Sequence, residues 1–145
     1  MVLTSVASRK LVLVVEDEDI VREIVCMELG DAGFNVLDAG TADEALGLLL
    51  RHASAGNDIC ILFTDIRMPG SLDGWELAER ARSLVPGLGV VYASGNEPAL
   101  HRAVPGSIFL PKPYRTVDLL KSLSRLQVNQ PNSAHPTCVP GQARL

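Results

Sequence analysis

The chain has 145 residues, 47% of them apolar, with 13 Lys and Arg against 17 Asp and Glu for a net charge of -4. That length suits one domain with a sizeable core, and an acidic balance with only 4% aromatic residues argues against nucleic-acid binding as the main activity. No apolar run is long enough to cross a bilayer, and the opening MVLTSVASRK carries its charges after a mixed stretch, the reverse of a signal peptide, so a cytoplasmic location without membrane contact is expected. Cys26, Cys60 and Cys138 are odd in number and widely spaced, which fits buried thiols and not disulfides or a zinc site.

In chain order, residues 1–10 read as an N-terminal extension. Leu11 to Val15 is a continuous β-branched-rich run, the pattern of a strand covered on both faces. Helical spacing follows from about Ile20 to Leu29, with Ile20, Val21, Ile24, Val25 and Leu29 on one broad face and Gly30 and Gly33 as stops. FNVLDA is a second, shorter strand. TADEALGLLLRHA opens with Thr41 as N-cap and Glu44 three residues on, a capping-box pattern ahead of an apolar helix face. ICILF is a third strand, buried by composition, and Trp75 to Leu84 a helix that Pro86-Gly87 ends. LGVVYA is the fourth strand, EPALHRAV a short helix with Pro98 placed early, SIFL the fifth strand, and TVDLLKSLSRL a last amphipathic helix. From residue 128 to 145 the apolar period is lost and prolines accumulate, the composition of a flexible tail.

Five strands alternating with five helices over residues 11–127 predict an α/β fold, an open parallel sheet wound on both faces in the flavodoxin-like order 2-1-3-4-5. Such sheets place their sites beyond the carboxyl ends of the strands, where the strand order reverses. Strand one runs into Glu16-Asp17-Glu18, strand three ends at Thr64-Asp65, strand four at Ser94-Gly95-Asn96, and strand five at Pro111-Lys112-Pro113. Carboxylates brought together repel, so they bind protons or recruit a cation. Oxygen-only ligands open to water suit Mg²⁺, which keeps several waters and accepts a phosphate oxygen. Lys112 supplies a compact cation and Ser94 a hydroxyl donor to a phosphoryl group, while one carboxylate stays available as a nucleophile. Singly, each residue also has an ordinary reading: the acids as a helix N-terminus complementing the dipole, Asp65 as a turn cap, Lys112 as a solvated loop residue and Ser94 as a helix cap. The weight lies in their joint arrival at one sheet edge.

In this combination the chain resembles the receiver domain of bacterial two-component response regulators, over about Leu11 to Leu126. The resemblance implies Asp65 as the phosphoacceptor, Asp17 and Asp65 as direct Mg²⁺ ligands, Glu16 acting through water, and the backbone carbonyl of Arg67 as a further ligand. It implies catalytic roles for Ser94 and Lys112, a cis bond before Pro113, and a switch pairing Ser94 with Phe109. Two departures stand out. Met68-Pro69-Gly70-Ser71-Leu72-Asp73-Gly74 is one residue longer than the family's usual Met-Pro-x-Met-Asp-Gly, and the switch aromatic is Phe where Tyr is common. Arg67 and Asn96 fall where the family tunes loss of the phosphoryl group.

The implied function is a phosphorylation-controlled receiver, a switch and not an enzyme beyond its own phosphorylation and dephosphorylation. The implied partners are a sensor histidine kinase or phosphotransfer protein and a downstream protein target. Pro98, Ala99, Leu100, Ala103, Val104 and Ile108 suit a protein contact or a homodimer through the fourth helix, fifth strand and fifth helix. No output module is expected, which leaves a phosphate sink or relay intermediate as the alternative. A phosphohydrolase using an aspartyl phosphate is disfavoured by Arg67, where a second carboxylate would be needed. A flavin site is disfavoured by acids in place of a Ser/Thr/Gly-rich loop.

Overall fold

The computed structural model describes residues 10–56, 59–95 and 102–129, with side chains to residue 126. The expected helix over EPALHRAV begins outside these residues, as do Asn96, Pro98, Ala99, Leu100, Cys138 and the 130–145 tail.

The elements run β1 (Leu11–Val15), α1 (Asp19–Asp31), β2 (Asn35–Ala39), α2 (Ala42–Ser54), β3 (Ile61–Asp65), α3 (Gly74–Leu84), β4 (Gly89–Ser94), β5 (Ile108–Pro111) and α4 (Thr116–Asn129). All ladders are parallel, and the strands lie in the order β2-β1-β3-β4-β5. The order reverses between β1 and β3, whose register pairs Val15 with Thr64. The residues just after Val15 and Thr64 therefore emerge side by side.

Alternation along each strand divides the core between the two faces of the sheet. Leu13, Val15, Leu62, Val90 and Tyr92 pack with Ala45 and Leu49 of α2 and with Leu77, Ala78 and Ala81 of α3. Val12, Val14, Ile61, Phe63 and Val91 pack with Val25 and Leu29 of α1 and with Leu119 and Leu123 of α4. All five residues of β3 are buried, the expected state of a central strand covered on both sides.

Two local expectations change. Helix α1 does not bury one broad face: Val25 and Leu29 are buried, whereas Ile20 and Ile24 are 72% and 45% exposed and Met27 59%. At about 100° per residue, Ile20, Ile24 and Met27 lie on the side of the helix away from Val25 and Leu29. Two apolar stripes were read from sequence as one face. At α2, Thr41 Oγ1 accepts from the Glu44 N–H at 3.1 Å, but the Glu44 carboxylate accepts from Gly40 N instead of returning to Thr41. The reciprocal box occurs at α3, where Asp73 Oδ1 accepts from Glu76 N at 2.9 Å and Glu76 Oε1 accepts from Asp73 N at 3.3 Å.

Candidate functional site

Each strand that ends at the switch point delivers acidic groups, and backbone bonds hold them there. After β1, the Glu16 N–H donates to Ala39 O of β2 at 3.1 Å. The Glu16 carboxylate folds back, its Oε2 accepting from the Glu18 N–H at 3.0 Å. After β3, the Ile66 N–H donates to Ala93 O of β4 at 3.2 Å, and Ile66 O accepts from Gly74 N at 2.7 Å. That last bond closes the loop from Arg67 to Asp73 into a compact excursion that returns against the end of β3.

Gly74 is required where the loop returns. A Cβ on it would lie 2.2 Å from Asp65 O and 2.7 Å from Ile66 Cα, inside hard contact with backbone. The extra residue in the loop is accommodated at the surface, where Gly70 adopts φ +111° and the Ser71 hydroxyl lies 3.2 Å from both oxygens of Asp43 on α2. Leu72 turns inward and joins the core beside Trp75. Arg67 and Pro69 remain exposed.

The side chains of Glu16, Asp17 and Asp65 converge, offering one carboxylate oxygen each within 4.8 Å of one another. Glu16 and Asp65 are buried, at 4% and 5% exposure, while Asp17 is exposed. Lys112, just past β5, places Nζ 2.7 Å from Asp65 Oδ1 and 3.8 Å from Glu16 Oε1. The Lys112 N–H donates to Ser94 O at 2.9 Å, and the Lys112–Pro113 bond is cis. Ser94 is buried at the end of β4, paired in register with Pro111. Phe109 is half-buried and packs against the core on the α2/α3 side of the sheet. Among the expected residues, Glu16, Asp17, Asp65, Lys112 and Ser94 thus gather at one edge. Arg67 lies two residues beyond Asp65, and Phe109 lies within β5, apart from the acids.

The electrostatics follow from burial. Three carboxylates face one ammonium, so two negative charges stay uncompensated if all are ionised. Burial pushes the Glu16 carboxyl up to about 7, aided by its hydrogen bond with Asp65 and the Asp65 charge, against the opposing pull of the Glu18 N–H and Lys112. Burial lowers the Lys112 ammonium, but its bond to Asp65 and the surrounding acids outweigh this and raise it above its ordinary value. A proton on Glu16 is one way to relieve the cluster; a hard divalent cation is the other. An all-oxygen set of two buried carboxylates and one exposed to water fits a cation that retains part of its hydration, as Mg²⁺ does.

One residue at the site escaped the sequence reading. Arg22, at the end of the first turn of α1, donates from Nη1 to the Glu16 backbone carbonyl at 2.7 Å, from Nε to Asp38 at 3.0 Å and from Nη2 to Asp19 at 2.8 Å. Its only trace in the sequence is the i, i+3 spacing from Asp19, which by itself describes an ordinary surface pair.

Comparison with known proteins bears on the family and the fold. The response regulator receiver domain profile matches residues 12–124. The transcriptional regulatory protein AruR of Pseudomonas aeruginosa is 37% identical over 95 residues, 64% of this chain and 37% of that protein. The sensor kinase CckA of Brucella abortus is 30% identical over 131 residues, 88% of this chain and 13% of the kinase. The chain therefore spans well under half the length of these relatives. Among solved structures, a response regulator receiver protein from Sinorhizobium medicae superposes with a TM-score of 0.74 at 32% identity, covering 84% of this chain and 97% of the other. With most of its length matched by that profile and its strand ends arranged around a shared acidic pocket, the chain belongs to the response regulator receiver domain family of two-component signalling.

Proposed function

We propose that this receiver takes a phosphoryl group on Asp65 from a histidine kinase or phosphotransfer protein, in a Mg²⁺-dependent reaction confined to the folded unit of residues 11–127. The observation that carries the reading is the buried Asp65 carboxylate with the Lys112 ammonium at 2.7 Å and two further carboxylates beside it. Isolated acids at a turn have no use for that partner set.

In the proposed step an Asp65 carboxylate oxygen attacks phosphorus as the phosphorus–nitrogen bond of phosphohistidine breaks, and the imidazole nitrogen leaves with the electron pair. Lys112 is placed to move from the carboxylate to the incoming phosphoryl oxygens, compensating charge where it develops. Asp17, Asp65 and the Arg67 carbonyl would hold Mg²⁺, with Glu16 acting through water; bound there, the ion would screen the carboxylates from the anionic phosphoryl group. Ser94 would donate its hydroxyl to a phosphoryl oxygen, and half-buried Phe109 would turn inward as Ser94 shifts. A protein donor is supported by exposed Ile20, Ile24 and Met27 on α1, beside a groove of about 720 Å³ whose walls include Ile24, Lys112 and Tyr114.

The test is incubation with Mg²⁺ and a small acyl phosphate, followed by intact-mass measurement. A gain of one phosphoryl group in the wild type, absent from Asp65→Asn, is the expected result. A gain that survives in Asp65→Asn, or none from any acyl phosphate or kinase donor, overturns the reading.

A further inference from the structure

We infer that Arg22 is a positioning residue for the acidic pocket, holding the β1–α1 loop in the shape that presents Asp17; this rests on the metal-dependent reading above. Asp17 is exposed and, among the described residues, no hydrogen bond holds its carboxylate. Its direction therefore depends on the peptide units to either side. Before Asp17, residue Glu16 is held at both of its backbone groups: its N–H donates to Ala39 O, and its carbonyl, which opens the peptide unit to Asp17, accepts from the Arg22 guanidinium. After Asp17, residue Glu18 is held likewise: its N–H, which closes the peptide unit from Asp17, donates to the Glu16 carboxylate, and its carbonyl accepts from Arg22 N at 2.9 Å. Arg22 thus supplies two of the four bonds around Asp17, one from its side chain and one from its backbone.

The guanidinium is itself held. Asp19 and Asp38 take Nη2 and Nε, so the planar fork joins the first turn of α1 to β2 while Nη1 remains for the Glu16 carbonyl. Its side chain is only 18% exposed. The adjoining backbone leaves room for it, since a Cβ on Gly40 would come within 3.1 Å of Nη1. Three acceptors from three segments require a planar donor with several N–H groups, and a lysine cannot serve them in one plane.

Two physical roles predict opposite signs for removal of Arg22. If it acted only through its charge, losing a cation near the pocket would tighten Mg²⁺ binding. If it acts by holding Glu16 O, losing it loosens Asp17 and weakens binding despite the more negative surroundings.

The experiment compares wild type, Arg22→Met and Arg22→Lys by calorimetric Mg²⁺ titration, amide hydrogen exchange at residues 16–18, and the Mg²⁺ dependence of phosphorylation by a small acyl phosphate. Arg22→Met is expected to bind Mg²⁺ about tenfold more weakly, the usual scale for losing a supporting contact behind a metal ligand. Its Glu18 amide should exchange faster. Phosphorylation should half-saturate at higher Mg²⁺ yet reach the wild-type maximum. Arg22→Lys should fall between the two and decides the matter if Arg22→Met does not fold. Binding and exchange equal to wild type in the folded variant, or tighter binding, overturns the positioning role and leaves the phosphorylation reading intact. Failure of the wild type itself to bind Mg²⁺ overturns both.

Discussion

The ends of β1 and β3 lie next to each other and carry acids of the same pocket, yet they are held by different means. Asp65 is the last residue of a fully buried strand, and its position is set by packing on both faces of the sheet and by Gly74 pressed against its carbonyl. Asp17 sits beyond the end of its strand in solvent, and its position is set by hydrogen bonds to the peptide units around it. Packing resists displacement from every side, which would suit the phosphoryl acceptor proposed for Asp65. Hydrogen bonds to a loop leave more room for adjustment than packing does, which would suit the metal ligand proposed for Asp17.

The contrast is broken most severely at Gly74. Gly74→Ala drives a Cβ into the Asp65 carbonyl, so the end of β3 and the start of α3 cannot both stay in place. Urea unfolding should show a loss of about 3 kcal/mol or more, at the upper end of overpacking effects. A loss under about 1 kcal/mol would mean that the loop closure is not rigid.

Lys112→Met leaves packing at the β3 end largely unchanged but removes the cation at 2.7 Å from Asp65. The phosphorylation rate at saturating Mg²⁺ should fall by about 100-fold, as when a charge-stabilising donor is lost. Rates within about threefold of wild type, by the same reckoning, would place Lys112 outside the reaction.

The β1 side should reveal itself through pH. The Glu16 carboxyl, raised from 4.5 to about 7 by burial, holds a proton in the folded, metal-free protein that the unfolded chain releases at lower pH. Its contribution to stability is therefore fully present below 4.5 and is lost as pH rises through about 7. If Mg²⁺ binds as proposed it competes with that proton, so affinity should drop by up to about tenfold per pH unit below the Glu16 midpoint. Calorimetric titrations from pH 8 to pH 5 measure this, and Glu16→Gln should flatten the dependence. A wild-type affinity independent of pH would separate Glu16 from the metal.

The smallest effect is expected at the outer edge of the lengthened loop. Ser71→Ala removes an exposed hydrogen bond to Asp43 and should change stability by less than about 0.5 kcal/mol in a thermal melt. A larger change would show that the extra residue is structural and not only accommodated.

Much of this protein is legible in its sequence. Strand composition marked the buried runs, crossover length required parallel pairing, and the residues at strand ends named the pocket, because each of these is a short-range property of the chain. Helix α1 and its loop were read less well. An apolar residue records that it can be buried, not which side of the helix the sheet will cover, so Ile20 and Ile24 looked like core and are surface. Glu44 and Asp73–Glu76 show the same limit at the caps, where a one-residue difference in backbone path decides which N–H a carboxylate reaches.

By itself, the sequence determined the α/β class and the parallel pairing, because periodicity and crossover length leave few other ways to bury those strands, and the flavodoxin-like order then brought the acids and lysine to one edge. Only the tertiary structure decided that Arg22 reaches the Glu16 carbonyl, that Gly74 is sterically required, and that Lys112 meets Asp65 instead of solvent. Those contacts join residues distant along the chain, and their distances follow from how the helices settle on the sheet, which no local pattern encodes.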